Sequence, residues 1–297
     1  MSYIAAIDIG SNAIRLAIAH QTPQGLHISY RSREPVRLGS CVFSEGQINE
    51  DTYEDLKNAL NQFKNQLENH NVHHFRAIAT SAMREASNNE EVIESLLKDT
   101  GLKIELISGE EEARLVSLAI SKQVDLSEGN YLLIDIGGGS IELVAMIDGK
   151  ISKKQSYVLG MVRVLEMQKE QGGEILDWLP ARVQTEMGSF FEGLPNFKTA
   201  VGTGGNMDRF IKLKSFVSDE DGIGLSFTEM NEMSHILHSV SYKDRILKFC
   251  LKPDRADVII PAIVATNKMM TMGGCKDILF PQVGLKDGVL QELAASL

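Results

Sequence analysis

A short pattern occurs twice in this chain, and its two copies constrain the fold more than any other feature. Residues 4–18 read IAAIDIGSNAIRLAI and residues 132–146 read LLIDIGGGSIELVAM. Sliding one along the other superimposes Asp8 on Asp135, Gly10 on Gly137, Ile14 on Ile141 and Leu16 on Leu143. In each copy an apolar run of strand length enters a glycine-containing turn, and apolar residues then return at every second position, the period of a strand. The repeated unit is therefore strand, turn, strand. A Rossmann loop or a P-loop needs a helix directly after its glycines, and neither G-x-G-x-x-G nor G-x-x-x-x-G-K is present. Two plain hairpins would account for the glycines but not for an aspartate before each turn.

The rest of the chain alternates helix and strand patterns, which predicts an α/β architecture. Tyr53, Leu56, Leu60, Phe63 and Leu67 share one face of a helix that Asn49 or Asp51 caps. Residues 75–80 and 103–107 read as strands, 88–99 as a helix stopped by Gly101, and 109–123 as a further helix. Strands are predicted at 151–158 and 198–201, a long helix at 254–272 before Gly273-Gly274, and an amphipathic helix from Leu285. With 297 residues, 43% of them hydrophobic, the chain is long enough for two domains with separate cores. We expect one lobe at 1–125, completed by 285–297, and a second at 126–284.

The amino terminus lacks a basic region followed by a long apolar stretch, and no apolar run approaches the roughly 18 residues of a membrane span. Cys41, Cys250 and Cys275 lie far apart with no C-x-x-C pair, so neither a disulfide framework nor a cysteine zinc site is signalled. The expected location is the cytoplasm, with no membrane partner. Thirty Lys and Arg against 40 Asp and Glu give a net charge of −10, which disfavours nucleic acid as a partner because its backbone is bound through clustered cations.

Segments rich in glycine, hydroxyl and amide side chains follow several of these strands, where loops present functional groups at a sheet edge. Gly10-Ser11-Asn12 and Gly137-Gly138-Gly139-Ser140 offer consecutive backbone N–H groups, an anion-binding nest for phosphate. Asp8 and Asp135 stand beside them, placed for Mg²⁺, which takes one or two carboxylates plus substrate oxygens. Gly204, Gly205 and Asn206 open a helix whose amino terminus favours negative charge. The segment 80–84 supplies hydroxyls and Arg84, whose planar fork suits phosphate. Residues 108–114 read SGEEEAR. Three acids in a first helical turn are favoured by the dipole, and one of them turned inward would be a base for a water molecule.

Together, DIGSN, TSAMREASN, ISGEEEARL, LLIDIGGGSIELV, GMVRV, VGTGGN and PDRADVIIPAIV resemble the exopolyphosphatase and guanosine pentaphosphate phosphatase (Ppx/GppA) family, in the superfamily of sugar kinases, Hsp70 and actin. The resemblance implies two ribonuclease-H-like lobes with a cleft between them, a Mg²⁺ cofactor, and hydrolysis of a terminal phosphoanhydride in polyphosphate or guanosine pentaphosphate. It assigns the base to Glu112, matches Asp135 and Glu142 to acidic residues around the glycine loop, and matches Arg84 to a phosphate-binding arginine. It makes a homodimer plausible. Departures are Ala13 in place of Ser or Thr, Asn206 in place of Thr, and Pro281-Gln282 where Ser-Asp is expected; these bear on chain-length preference and terminal-phosphate contacts.

Two other readings compete: an ATP-dependent small-molecule kinase on the same fold, and a non-catalytic module sensing phosphorylated alarmones. Neither a cysteine-rich zinc signature nor a second acidic loop for an acceptor hydroxyl favours the kinase. His235 and His238 lack an H-E-x-x-H pattern. Lys153-Lys154 and Arg163 are candidates to extend a polyphosphate track, and Arg209, Lys212 and Lys214 to meet a nucleotide or distal phosphates. Arg31, Arg33 and Arg37 read as solvated, and Met269, Met270 and Met272 as core or interface filling.

Overall fold

The protein was analysed as a computed structural model, which describes residues 2–296. Its contacts divide the chain into one unit of Met1–Ala119 with Gly284–Leu297 and a second of Ile120–Val283.

The first unit contains β1 (Tyr3–Ile9), β2 (Ile14–Thr22), β3 (Gly25–Glu34), α1 (Leu38–Glu45), α2 (Glu50–Asn69), β4 (His74–Ala79), α3 (Ser81–Glu85), α4 (Asn89–Thr100), β5 (Ile104–Leu106) and the start of α5 (Gly109–Ser121). Its sheet has the order β3-β2-β1-β4-β5, with β1, β4 and β5 parallel and β2 antiparallel to both of its neighbours. The Asn49 side chain accepts from Thr52 N and caps α2, whose Leu56, Leu60, Phe63 and Leu67 join Ile7, Leu16 and Ile18 of the sheet in one core. Gly101 ends α4 in the left-handed conformation.

The second unit contains β6 (Asn130–Ile136), β7 (Ile141–Ile147), β8 (Lys150–Tyr157), α6 (Met161–Gln171), α7 (Ile175–Phe191), β9 (Thr199–Thr203), α8 (Met207–Lys212), β10 (Gly224–Ser226), α9 (Phe227–His238), α10 (Tyr242–Lys248), α11 (Pro253–Ala256), α12 (Ile259–Gly273) and β11 (Asp277–Leu279). The final helix α13 (Leu285–Ala295) belongs to the first unit, where it packs on β1, β2 and β4. The second sheet runs β10-β11-β9-β6-β7-β8. Without the antiparallel edge strand β10, order and strand senses repeat those of the first sheet. Both are the ribonuclease-H-like arrangement, so the repeated pattern in the sequence is the first hairpin of each of two like lobes.

Three local expectations change. The helix expected over 254–272 is two pieces, a single turn α11 and the long α12, separated at Asp257-Val258. The hydroxyl-rich segment after β4 is the short helix α3 rather than a loop. β3 was not expected, because it is an edge strand that alternates only between half-buried and exposed residues and so has no strong apolar period. Among the described residues no helix is long and apolar enough to cross a membrane.

Cys275 packs beside Gly273 and is 5% exposed, and burial pushes its thiol up to about 12. Because the thiolate is the nucleophile, iodoacetamide at pH 8 is expected to alkylate the exposed Cys250 and spare Cys275. Peptide mass mapping checks this, with denatured protein labelled at both as the control.

Candidate active site

In the first unit the turn between β1 and β2 is closed by Gly10 N donating to Ala13 O at 3.3 Å. Ser11 locks it to its surroundings: its carbonyl accepts from Gly39 N at 2.7 Å, and its hydroxyl accepts from Ala82 N at 3.2 Å, tying the turn to α3. Asn12 is buried beside it. Asp8 is 6% exposed and sits opposite Arg15 in the β1/β2 ladder, with Nη1 donating to Oδ2 at 2.9 Å. The first nest therefore carries its own internal ion pair. Arg84, at the end of α3, donates from Nη1 to Ile107 O at 2.6 Å, which orients the guanidinium toward the loop that begins α5. One such bond leaves a five-donor group far from saturated.

Ser108 caps α5, its hydroxyl accepting from Glu111 N at 3.2 Å and its carbonyl from Glu112 N at 3.0 Å. The three glutamates of that turn then part ways. Glu110 is exposed, Glu111 holds Arg114 through both carboxylate oxygens at 2.7 Å, and Glu112 is buried at 7% exposure.

In the second unit the register places Asp135 directly opposite Glu142 across β6/β7. This is the position of Asp8 and Arg15 in the first hairpin, with the cation replaced by a second carboxylate. Carboxylate oxygens of the two lie within 4.8 Å of one another. Each has a hydroxyl donor: Thr203 Oγ1 to Asp135 Oδ1 at 2.9 Å, and Ser156 Oγ to Glu142 Oε1 at 2.8 Å. Like charges directly opposite in a ladder destabilise it, and a hard divalent cation is the partner that such oxygens suit. The Asp135–Glu142 pair could hold one.

The adjoining glycine turn is closed by Gly137 N to Ser140 O at 3.0 Å and is braced from behind. The carbonyls of Gly137, Gly138 and Gly139 accept from Met161 N, Val162 N and Gly160 N at 3.1, 2.8 and 3.0 Å. The opening N–H groups of α6, which lack partners within their own helix, thereby satisfy the loop's carbonyls. Arg163 Nε adds a bond to Gly139 O at 3.3 Å, so this arginine braces the loop. A Cβ on Gly160 would overlap the backbone of Gly138 and Gly139, which explains the glycine of the GMVRV segment.

The third loop leaves β9 through Gly204, whose φ of +99° and whose Cβ position only 2.5 Å from Ile136 O both require glycine. Gly205 lies against the guanidinium of Arg255, itself 5% exposed, and a Cβ there would strike it. Asn206 is 3% exposed, and its buried Oδ1 has no hydrogen-bond partner among the described residues. α8 that follows has only six residues, so its dipole is weaker than a full helix would supply.

Ser156, Gly160 and Arg255 escaped the sequence reading as site residues. Gly160 and Arg255 stand in the GMVRV and PDRAD segments, but nothing in spacing alone separates them from packing positions. Two expected phosphate contacts are occupied otherwise. Lys153 Nζ donates to Ser189 O and Phe190 O at 2.9 and 3.0 Å, capping the end of α7. Lys214 is 9% exposed and donates to Gly224 O at 2.8 Å.

A family model for the Ppx/GppA phosphatase family matches residues 17–297. The chain belongs to that family. Exopolyphosphatase 1 of Mycobacterium tuberculosis is 29% identical over 183 residues, 60% of this chain and 49% of the relative, and that of Mycobacterium leprae is 28% identical over the same length. The chain spans about half the length of the curated relatives it matches. The crystal structure of a Ppx/GppA family member from Aquifex aeolicus is 26% identical, with a TM-score of 0.82 over 99% of this chain and 98% of that one. An exopolyphosphatase from Cytophaga hutchinsonii shares the fold at TM-score 0.91 and 22% identity, covering 100% of this chain and 99% of that chain.

Gly160→Ala forces apart two backbones that touch, and such overpacking typically costs about 1–3 kcal/mol. We expect a lower urea midpoint for unfolding of the second unit, measured by circular dichroism; an unchanged midpoint would show that the loop has room.

Proposed function

We propose that this member of the Ppx/GppA phosphatase family is a Mg²⁺-dependent exopolyphosphatase that releases terminal orthophosphate from inorganic polyphosphate. The observation that carries this reading is the pairing of half-buried Asp135 with buried Glu142 beside a glycine loop whose carbonyls are all engaged elsewhere. With its carbonyls turned to α6, the loop has its N–H groups left for phosphate oxygens. The name exopolyphosphatase borne by the mycobacterial relatives supports the substrate class.

In this reading Asp135 and Glu142 are the residues that would hold the cation, with Asp8 a lesser contributor because Arg15 already offsets its charge. The cation would neutralise charge on the phosphate oxygens. Gly138, Gly139 and Ser140 bind the terminal phosphoryl group through backbone N–H, and Gly137, whose N–H closes the turn on Ser140 O, shapes the loop around it. Gly10, Ser11 and Asn12, together with Gly204 and Gly205, take neighbouring phosphates, and Arg84 stabilises the charge that spreads over the equatorial oxygens. Glu112 orients a water in line with the scissile bond and accepts its proton. The shortened chain leaves. Guanosine pentaphosphate presents the same terminal anhydride and is the alternative substrate.

The test is phosphate release by the purified protein with Mg²⁺ from long polyphosphate, short polyphosphate, guanosine pentaphosphate and ATP side by side. The expected order puts polyphosphate first, with activity lost on chelation by EDTA and restored by Mg²⁺. Faster release from guanosine pentaphosphate would reassign the substrate, and formation of a phosphorylated acceptor from ATP would make the protein a kinase. Glu112→Gln should lower kcat by about 10²–10⁴ with an unaltered circular dichroism spectrum. Normal turnover by that variant would remove Glu112 from the mechanism.

A further inference from the structure

We propose that Glu292, on α13, is a positioning residue that sets the first turn of α5 and hence Glu112; this rests on the reading of Glu112 as the base. Glu111, next to Glu112, takes the Arg114 guanidinium through Nε and Nη2. The same Nη2 reaches Glu292 Oε1. The other oxygen of Glu292 is held by Arg76 of β4, and Arg76 in turn donates to Glu105 of β5 at 2.9 Å. Charges thus alternate along Glu111, Arg114, Glu292, Arg76 and Glu105, running from the turn that carries Glu112 to the sheet of the same unit.

A second contact lies on the same two helices. A Cβ on Gly288 would overlap the carbonyl of Leu115, so the backbones of α13 and α5 touch within one turn of Glu112. Gly288 sets how closely α5 approaches, and Glu292 through Arg114 sets how it is turned about its axis. Side chains of Arg114 and Glu292 keep 43% and 36% of their exposure, and ion pairs so exposed contribute little to stability. What such a network provides is geometry, and misplacing a catalytic group by about 1 Å costs about a hundredfold in rate.

The test is a cycle of Glu292→Gln, Arg114→Gln and the double variant, assayed for kcat and KM on polyphosphate with thermal unfolding in parallel. Each single variant should lose about tenfold in kcat, a partial misplacement, with KM unchanged within about twofold. The double variant should be no slower than either single one, as expected for residues acting as a unit. Arg182→Gln, which breaks the exposed Arg182–Glu186 pair of α7, should leave kcat unchanged. Unchanged kcat in Glu292→Gln, or losses that add in the double variant, would overturn the proposal. A wild-type protein that releases no phosphate from any substrate would defeat the functional reading instead. Hydrogen exchange across residues 109–117 then decides the positioning claim: faster exchange in Glu292→Gln supports it and unchanged exchange refutes it.

Discussion

Two carboxylates, Glu142 buried and Asp135 half-buried, face each other across the second hairpin, and most of the site follows from that one juxtaposition. Asp135 and Glu142 are directly paired in the ladder, where like charges repel, and Glu142 is 2% exposed. The duplicated lobe resolves the same position differently, since Asp8 faces Arg15 and the charges cancel in place. The hydroxyls of Thr203 and Ser156 give the second pair one hydrogen bond each.

A site of this kind needs stiff backbone, and the second unit supplies it by contacts between main chains rather than by side-chain packing. Gly160 lets the start of α6 touch the Gly137–Gly139 loop, so three loop carbonyls and three helix N–H groups satisfy one another. Gly204 brings the loop after β9 to within reach of Ile136 O and Asp135. In the first unit Ser11, Thr80 and Arg84 do the corresponding work through bonds to Ala82 N, Ile9 O and Ile107 O. On the proposed reading the acidic total of the chain is no obstacle to a polyanion, because phosphate would be met by backbone N–H groups and a few arginines and not by a basic surface.

Much of this architecture is legible in the sequence because its signals are local. The two hairpins show the period of a strand on both sides of a glycine turn, the face of α2 repeats at three and four, and Asn49 and Gly101 mark helix ends by known chemistry. What stayed hidden depends on contacts distant in sequence. The partnership of Arg114 with Glu292 spans 178 residues, and that of Asp135 with Thr203 spans 68. The break between α11 and α12 falls at Asp257-Val258, where no Gly or Pro announces it. Lys153 and Lys214 read as candidate phosphate contacts in the sequence, and only the fold reveals the carbonyls that they hold.

The central claim, that the Asp135–Glu142 pair is built for a divalent cation, is tested most directly by comparing the thermal unfolding of the wild type and Glu142→Gln, first in EDTA and then with increasing Mg²⁺. Removing one of two opposed charges should make Glu142→Gln the more stable protein without metal, and added Mg²⁺ should raise the midpoint of the wild type alone. If Mg²⁺ raises both midpoints equally, or Glu142→Gln is the less stable protein in EDTA, the pair is not a cation site and the account fails at its base.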